Sequence, residues 1–369
     1  MRIRTLGVAA LLAWLVGHAA PVSAQAALSL RHQDVHSTWT ERATSAAGIF
    51  AFMGLAWLMS SDRRRIPFRV IAWGLALQVL FGVFALKTGA GLALFSSLND
   101  GVVALLNFTD TGTSFLFGAY ASDIWVGAAQ GEAGTFLARA PVALKILPTI
   151  VFFSAVMAVL YHLGVMQRVV LGISWVMERT MRTSGSETLS TAANIFVGQT
   201  EAPLVVRPYI DKMTQSELMA IMVGGFATVA GGVLAAYVGM LLPFFPDIAG
   251  HLIAASFMSA PATLVVSKLM QPETETSETA GGAQLSMERV DANVIEAAAR
   301  GASEGLMLAL NVGAMLLAFI ALVALANALI ALPVEGVNHL AGTTFTPITF
   351  QQILGVLFWP IAFLMGVPP

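Results

Sequence analysis

The sequence lacks cysteine and contains few charged residues. Its 369 residues include no cysteine, and only 11% of them are charged, against about 25% in soluble domains. The absence of cysteine excludes disulfides, thiolate zinc sites and a cysteine nucleophile. The formal net charge of −2 offers no basic surface to nucleic acid. The chain also contains no phosphate-binding glycine loop, serine-hydrolase elbow or HExxH motif.

Apolar residues dominate instead. They form 57% of the chain, and the mean hydropathy is +0.78. Many stretches are long enough to cross most of a ~30 Å hydrocarbon core as helices. We predict an all-α, polytopic membrane protein with an interfacial helix over 169–181, where apolar and basic residues alternate. The predicted spans are 46–59, 68–86, 142–163, 218–242, 248–269 and 305–332, followed by an apolar segment over 349–369.

The N-terminus has the pattern of a secretory signal peptide. Two arginines precede an apolar stretch over 8–16, and Val22-Ser23-Ala24 is typical of a cleavage site. We predict a signal-peptide-like segment over 1–24, followed by a polar periplasmic stretch over 25–45. The alternative is an uncleaved first membrane helix.

Charge in the loops predicts the topology. The short loop Arg63-Arg64-Arg65 is cytoplasmic by the positive-inside rule. The mature N-terminus is then periplasmic, and the protein lies in a bacterial inner membrane. The glycine-rich, acidic segment 88–142 is predicted to be external, with one short helix near 92–106. Residues 271–304 are predicted to be a hydrophilic loop and the entry to the following helix.

A polar turn interrupts the apolar sequence after residue 197. The two flanking stretches, 186–197 and 202–212, can each form a helix that crosses about half of the membrane. Their tip, Gly198 to Glu201, would then lie near mid-membrane, where irregular backbone is tolerated only inside protein or beside a cavity. We therefore predict a re-entrant helical hairpin over 186–212 that carries a polar solute site at its tip.

The tip carries side chains suited to a hydrogen-bonding solute. A carboxylate inside the membrane is costly, so Glu201 is a functional candidate. Gln199 offers an amide donor and acceptor, and Thr200 adds a hydroxyl. Such a set suits a neutral solute such as a nucleobase. The alternative is a structural ion pair between Glu201 and Arg207.

A second pair of polar residues predicts a cation site. Asn194 lies near the inner end of the first half-helix, and Thr228 lies beside a glycine-interrupted helix. Side-chain oxygens next to broken-helix carbonyls are typical of Na⁺ sites in transporters. The alternative is interhelical hydrogen bonding between the two side chains.

These residues resemble a known family. The run Gly198-Gln199-Thr200-Glu201-Ala202-Pro203 is similar to the hairpin signature of the concentrative nucleoside transporters. The segment 293–311 is similar to the family's entry into a scaffold helix. The resemblance covers about residues 45–369.

The resemblance implies a homotrimer whose protomers each have a scaffold and a mobile transport domain that works as an elevator. Scaffold helices would occupy 46–163 and 305–332, transport-domain elements 164–270, and the start of a second hairpin 349–369. By position in the family, the nucleobase would be contacted by Gln199, Thr200, Glu201 and Val233. Na⁺ would be bound by Asn194, Val197, Thr228 and Val229, the two valines through backbone oxygens.

The resemblance stops before two motifs that hold the ribose in this family. An Asn-Glu-Phe motif on a second hairpin and a Gly-Phe-Ala-Asn motif on a later broken helix are both absent. We therefore expect a C-terminally truncated transporter that binds nucleosides weakly or not at all as given.

Four alternatives are weighed against Na⁺-coupled nucleoside uptake. The chain could carry another small polar solute, couple transport to protons, or be an inactive fragment. An intramembrane enzyme would need a nucleophile and base in apposed helices, and the two histidines inside predicted spans, His162 and His251, each lie near the end of a span. We therefore predict that the chain is not an enzyme, that it has no organic cofactor and that its coupling ion is Na⁺.

Overall fold

The computed structural model describes residues 39–118, 125–128, 135–138, 142–199, 202–242, 244–280, 291–341 and 346–367. The predicted signal segment 1–24 lies outside these residues, as does most of the polar stretch 25–45. The fold is helical, which confirms the predicted fold class. The elements are α1 (Trp39–Leu58), α2 (Phe68–Lys87), α3 (Gly89–Phe117), β1 (Trp125–Ala128), β2 (Thr135–Ala138), α4 (Val142–Lys145), α5 (Leu147–His162), α6 (Val165–Met181), α7 (Gly185–Asn194), a 3₁₀ helix (Ala202–Lys212), α8 (Gln215–Ala227), α9 (Gly231–Leu241), α10 (Ile248–Met270), α11 (Val294–Ala341) and α12 (Phe350–Leu364).

Several of these helices can cross a membrane. Within the described residues, six helical segments have the length and apolar composition of a span. The chain is therefore a multi-pass membrane protein. The six segments are Phe68–Lys87, Gly89–Phe117, Val142–His162, Gln215–Leu241, Ile248–Met270 and Val294–Val334.

The short helix predicted near 92–106 is wrong in length, because α3 runs for 29 residues. The Thr88 hydroxyl caps its start by accepting a hydrogen bond from the Gly91 amide at 3.0 Å. Polar residues that indicated an exposed segment have partners on neighbouring helices. The Lys145 ammonium lies 2.8 Å from the Asp110 carboxylate, and the Gly250 amide donates to the Asn99 side chain at 3.3 Å.

A two-stranded antiparallel sheet follows α3 and was not predicted. Trp125 pairs with Ala138, and Ala128 pairs with Thr135. Four-residue strands give a weak period-two signal, so the pattern of apolar residues did not reveal them.

Glycine determines where several helices end or meet. The glycine-rich stretch 218–242 forms two helices, α8 and α9, separated by extended backbone at Thr228.

The predicted helix over 305–332 is the middle of the longer α11. The start of α11 approaches α5 closely, because a side chain at Gly301 would meet the Ala158 Cβ at 2.5 Å and one at Gly305 would meet the Ser154 Cβ at 2.7 Å.

The chain forms two compact units. One is Met59–Ala309, which includes every element from α2 to α10 and the start of α11. Its α10 is the most buried of the six candidate spans, with 56% of its most apolar window inside the protein. Helix α10 contacts α2, α3, α8 and α9, so it is the central helix of this unit.

The other unit contains α1, α12 and the part of α11 that follows Ala309. Within it α1 packs on α12, where Gly48 lies against the Leu364 carbonyl. The Asn327 side chain accepts a hydrogen bond from the Phe350 amide at 2.6 Å and donates to Gln351 at 3.0 Å. Asn327 therefore fixes the start of α12 beside α11.

Candidate functional site

The site begins with a short buried helix. All ten residues of α7 are buried, and the helix starts with a capping box in which the Ser184 amide donates to the Glu187 carboxylate at 2.9 Å. The chain turns after Asn194 and returns as the 3₁₀ helix. The predicted pair of short helices over 186–212 is present, and its placement in the membrane remains a prediction.

The turn of this hairpin docks on the break between α8 and α9. The Gly231 amide donates to the Phe196 carbonyl at 3.0 Å, and the Ala202 amide closes the turn by donating to the Gly198 carbonyl at 3.0 Å. Gly198 has a φ of 106°, and a side chain there would lie 2.6 Å from the Ala230 Cβ. Only glycine satisfies both requirements without strain.

Asn194 and Thr228, predicted as cation ligands, are in direct contact. The Asn194 side-chain amide donates to the Thr228 hydroxyl at 2.6 Å and also to the Gly224 carbonyl. The Thr228 hydroxyl in turn donates to the Asn194 carbonyl at 2.9 Å. These bonds join the end of α7 to the end of α8. The interhelical hydrogen bonding that was the alternative prediction for Asn194 and Thr228 is therefore present.

One oxygen of this pair has no partner. The Asn194 side chain is 2% exposed, and its Oδ1 atom accepts no hydrogen bond among the described residues. Its amide nitrogen is engaged by two oxygens, which fixes the orientation of the group. A buried acceptor without a donor is costly, and a cation would satisfy it. Asn194 therefore fits a Na⁺ site.

The other predicted site residues lie around the same turn. Gln199 is exposed at the tip, where its Cβ would lie 3.0 Å from a side chain at Gly225. Val197 packs against the core between α7 and the 3₁₀ helix, and Val229 packs against the core formed by α3, α9 and α10. Val233 is half-buried in the first turn of α9. Thr200 and Glu201 lie outside the described residues.

A buried charged network lies at the opposite end of α7 and was missed by the sequence analysis. The Lys268 ammonium lies 2.7 Å from the Glu187 carboxylate and 3.2 Å from Glu273, and it donates to the Ser216 hydroxyl at 2.8 Å. Glu217, which is 1% exposed, accepts hydrogen bonds from several backbone and side-chain donors. Two capping-box spacings, Ser184 to Glu187 and Thr214 to Glu217, were the signal that could have indicated the network.

This network borders a cavity of about 900 Å³. Glu187 and Lys268 line its inner wall, and Arg64, Arg65 and Arg182 lie among its other lining residues. Burial raises the pKa of the Glu187 carboxyl, and the Lys268 ammonium opposes that shift. The ion pair therefore favours the charged form of a carboxylate whose burial disfavours it.

Family comparisons agree across most of the chain. Residues 47–120 match the N-terminal model of Na⁺ dependent nucleoside transporters, residues 143–244 match a nucleoside recognition model, and residues 251–369 match the C-terminal model of the same transporters. An uncharacterised transporter of Haemophilus influenzae is 43% identical, over 88% of this chain and 72% of the relative. Sodium/nucleoside cotransporter 1 of Mus musculus is 41% identical, over 89% of this chain and 46% of the relative.

Solved structures show the same architecture. CNTnw in an inward-facing substrate-bound state is 41% identical, with a TM-score of 0.74 over 88% of this chain and 73% of that chain. A CNTnw variant in an outward-facing state gives a TM-score of 0.76 over 90% of this chain and 74% of that chain. The chain thus spans about three quarters of its bacterial relative and of CNTnw, and about half of the mouse protein.

The buried ion pair predicts an asymmetric mutational response. Lys268→Met leaves the Glu187 carboxylate buried beside no cation, which we expect to lower the free energy of unfolding by about 3–5 kcal/mol. The double variant Glu187→Gln/Lys268→Met removes both charges and should recover most of the loss. The measurement is denaturant unfolding in detergent.

An exposed ion pair provides the control. Lys212 lies 3.2 Å from Glu278, and the two side chains are 63% and 54% exposed. Lys212→Met should change the free energy of unfolding by less than about 1 kcal/mol. A Lys268→Met effect as small as this control would show that the buried pair does not stabilise the fold.

Proposed function

The chain belongs to the concentrative nucleoside transporter family, and on that premise we propose that it takes up nucleosides together with Na⁺ across a bacterial inner membrane. The family consists of transporters rather than enzymes, in agreement with the sequence-based prediction. Its models are those of Na⁺-dependent proteins, for which the coupling ion is sodium and no organic cofactor is needed. An elevator motion of a transport domain and assembly as a homotrimer are part of the proposal and rest on the family resemblance.

One observation carries the sodium assignment. The buried Asn194 Oδ1 atom lacks a hydrogen-bond donor and lies on the residue that contacts the Thr228 hydroxyl. Bound Na⁺ would supply a positive charge at this point, with Asn194 and Thr228 as side-chain ligands and Val197 and Val229 as backbone ligands. Amide and hydroxyl groups do not take up a proton near neutral pH. This chemistry favours Na⁺ over proton coupling.

The nucleobase would bind at the hairpin tip. Gln199 is exposed there, and Thr200 and Glu201 follow it in the sequence. An amide and a carboxylate can together accept and donate hydrogen bonds to the edge of a base, with Val233 as an apolar contact. Because the tip docks on the break where the Na⁺ ligands lie, cation binding would order the backbone that presents these side chains. A different small polar solute is the competing candidate, and it would bind without preference for a base.

The sodium assignment predicts the effect of Thr228→Val. This change keeps the shape of the side chain and removes a ligand oxygen, so the Na⁺ concentration for half-maximal thermal stabilisation should rise at least about tenfold, equivalent to ~1.4 kcal/mol. Unfolding temperatures of the purified chain are measured in NaCl against choline chloride. Thr228→Ser, which keeps the hydroxyl, should respond like the wild type.

Two results would refute this assignment. One is equal stabilisation by NaCl and choline chloride in the wild type. The other is an unchanged Na⁺ response in Thr228→Val. A dependence on pH in place of Na⁺ would favour proton coupling.

If the hairpin tip binds the nucleobase, the Glu201 carboxylate should accept a hydrogen bond from the base. Uridine at millimolar concentrations should stabilise the chain in the presence of Na⁺, and Glu201→Gln should weaken this binding at least about tenfold, since a hydrogen bond to a charged group contributes roughly 1.5–3 kcal/mol. Binding is measured with radiolabelled uridine, competed by other nucleosides and by ribose alone. Glu275→Gln, at an exposed loop position, is the control. Competition by ribose and not by the free base would place recognition elsewhere.

The topology is tested by cysteine labelling, for which the absence of native cysteine is convenient. Ser61→Cys lies beside the arginine loop, and Lys87→Cys lies at the other end of α2. A membrane-impermeant maleimide should label Lys87→Cys in intact cells and should leave Ser61→Cys unlabelled until the cells are opened. The reverse pattern would invert the proposed orientation.

A further inference from the structure

Three buried side-chain oxygens lie along α7: Glu187 Oε2, Thr191 Oγ1 and Asn194 Oδ1. Of these, Thr191 Oγ1 and Asn194 Oδ1 accept no hydrogen bond from the described residues. The spacing of four and then three residues places them on one face of the helix, one turn apart. Glu187 Oε2 has the Lys268 ammonium at 2.7 Å. The Thr191 hydroxyl has no such neighbour, although its side chain is only 2% exposed.

The free hydroxyl of Thr191 is unusual for a threonine in a helix. Helical threonines commonly donate back to the carbonyl of the preceding turn. Thr188, on the same helix, donates to the Ser184 carbonyl at 2.6 Å, and Thr263 on α10 donates to the Ser259 carbonyl at 2.9 Å. Thr191 makes no bond of this kind. Its hydroxyl oxygen is therefore available to another ligand.

Helix α8 leaves space in front of this hydroxyl. The residue opposite is Gly224, whose carbonyl accepts a hydrogen bond from the Asn194 side chain. A Cβ atom at position 224 would lie 3.8 Å from Thr191 Oγ1 and 3.6 Å from the Thr263 side chain. These are ordinary contact distances, so the space would accept a methyl group and is open because residue 224 is glycine.

We propose that Thr191 is a further cation-binding residue and that its hydroxyl extends the site from Asn194 by one turn of α7 toward the charged network. The inference rests on the proposed sodium coupling and adds a ligand to it. Both free oxygens, on Thr191 and Asn194, are uncharged, and the side chains that carry them both contact Gly224. Glu187, the next residue along the same face, is neutralised by Lys268, so its carboxylate does not draw the cation away from the two neutral oxygens.

The first test removes the hydroxyl. Thr191→Val should raise the Na⁺ concentration for half-maximal thermal stabilisation at least about tenfold, because a buried cation loses an oxygen ligand. Thr191→Ser keeps the oxygen and should stay within about threefold of the wild type. The matched control is Thr188→Val, an equally buried threonine with a locally satisfied hydroxyl. It should lower the unfolding temperature without changing the Na⁺ response.

The second test fills the space without touching Thr191. Gly224→Ala introduces a methyl group without a clash and is favourable in a helix. It should leave the unfolding temperature in choline chloride unchanged or higher, and it should weaken the Na⁺ response at least about tenfold. This variant keeps the inference testable even where Thr191→Val folds poorly.

The outcomes separate this inference from the proposed function. A wild-type chain with no Na⁺ response overturns both. A Na⁺ response that Thr228→Val weakens but that Thr191→Val and Gly224→Ala leave unchanged overturns only the role of Thr191. A Thr191→Ser response as weak as that of Thr191→Val would assign the residue to packing and would also overturn the inference.

Discussion

The structure of the hairpin depends on the hydrogen bonds between Asn194 and Thr228. The C-terminal ends of α7 and α8 lie next to each other inside the protein. Each end would leave backbone carbonyls without hydrogen-bond donors. The Asn194 side-chain amide donates to the Gly224 carbonyl in the last turn of α8, and the Thr228 hydroxyl donates to the Asn194 carbonyl at the end of α7. The same bonds orient Asn194 so that its oxygen is the atom left free. A structural requirement thus leaves free the oxygen that we propose as a cation ligand.

The opposite end of α7 is fixed by charge. Glu187 caps its own helix and pairs with Lys268 from α10, while Glu217 caps α8 and accepts hydroxyl donors from the chain around residues 277–279. Removing Lys268 would leave the Glu187 carboxylate buried without a cation, and such a loss is larger than that at an exposed pair. The half-helix is therefore held at both ends, and its face between them can carry unsatisfied oxygens without collapsing.

Part of this arrangement could be predicted from the sequence, for physical reasons. Polar residues in an apolar context are informative, so Asn194, Thr228 and the tip at 198–201 could be predicted as site candidates, and the structure brings Asn194 and Thr228 into contact. The network was missed because Glu187 and Lys268 are far apart in the chain, and pairing at a distance leaves no local pattern. Helix α3 was predicted too short because its acidic residues indicated exposure, whereas Asp110 is paired with Lys145. The strands β1 and β2 were too short to give a periodic signal.

The placement of charge along α7 suits the proposed cation site, which would have to release its cation during transport. In a medium of low dielectric constant a carboxylate would attract a cation far more strongly than an amide or hydroxyl oxygen does, and transport requires binding that is weak enough to reverse. Here the neutral oxygens of Asn194 and Thr228 lie where α7 and α8 end, and the nearest carboxylate along the helix face, Glu187, is paired with Lys268. Because the Lys268 ammonium pairs with the carboxylate, a cation bound as proposed would have only the weaker, uncharged oxygens as ligands.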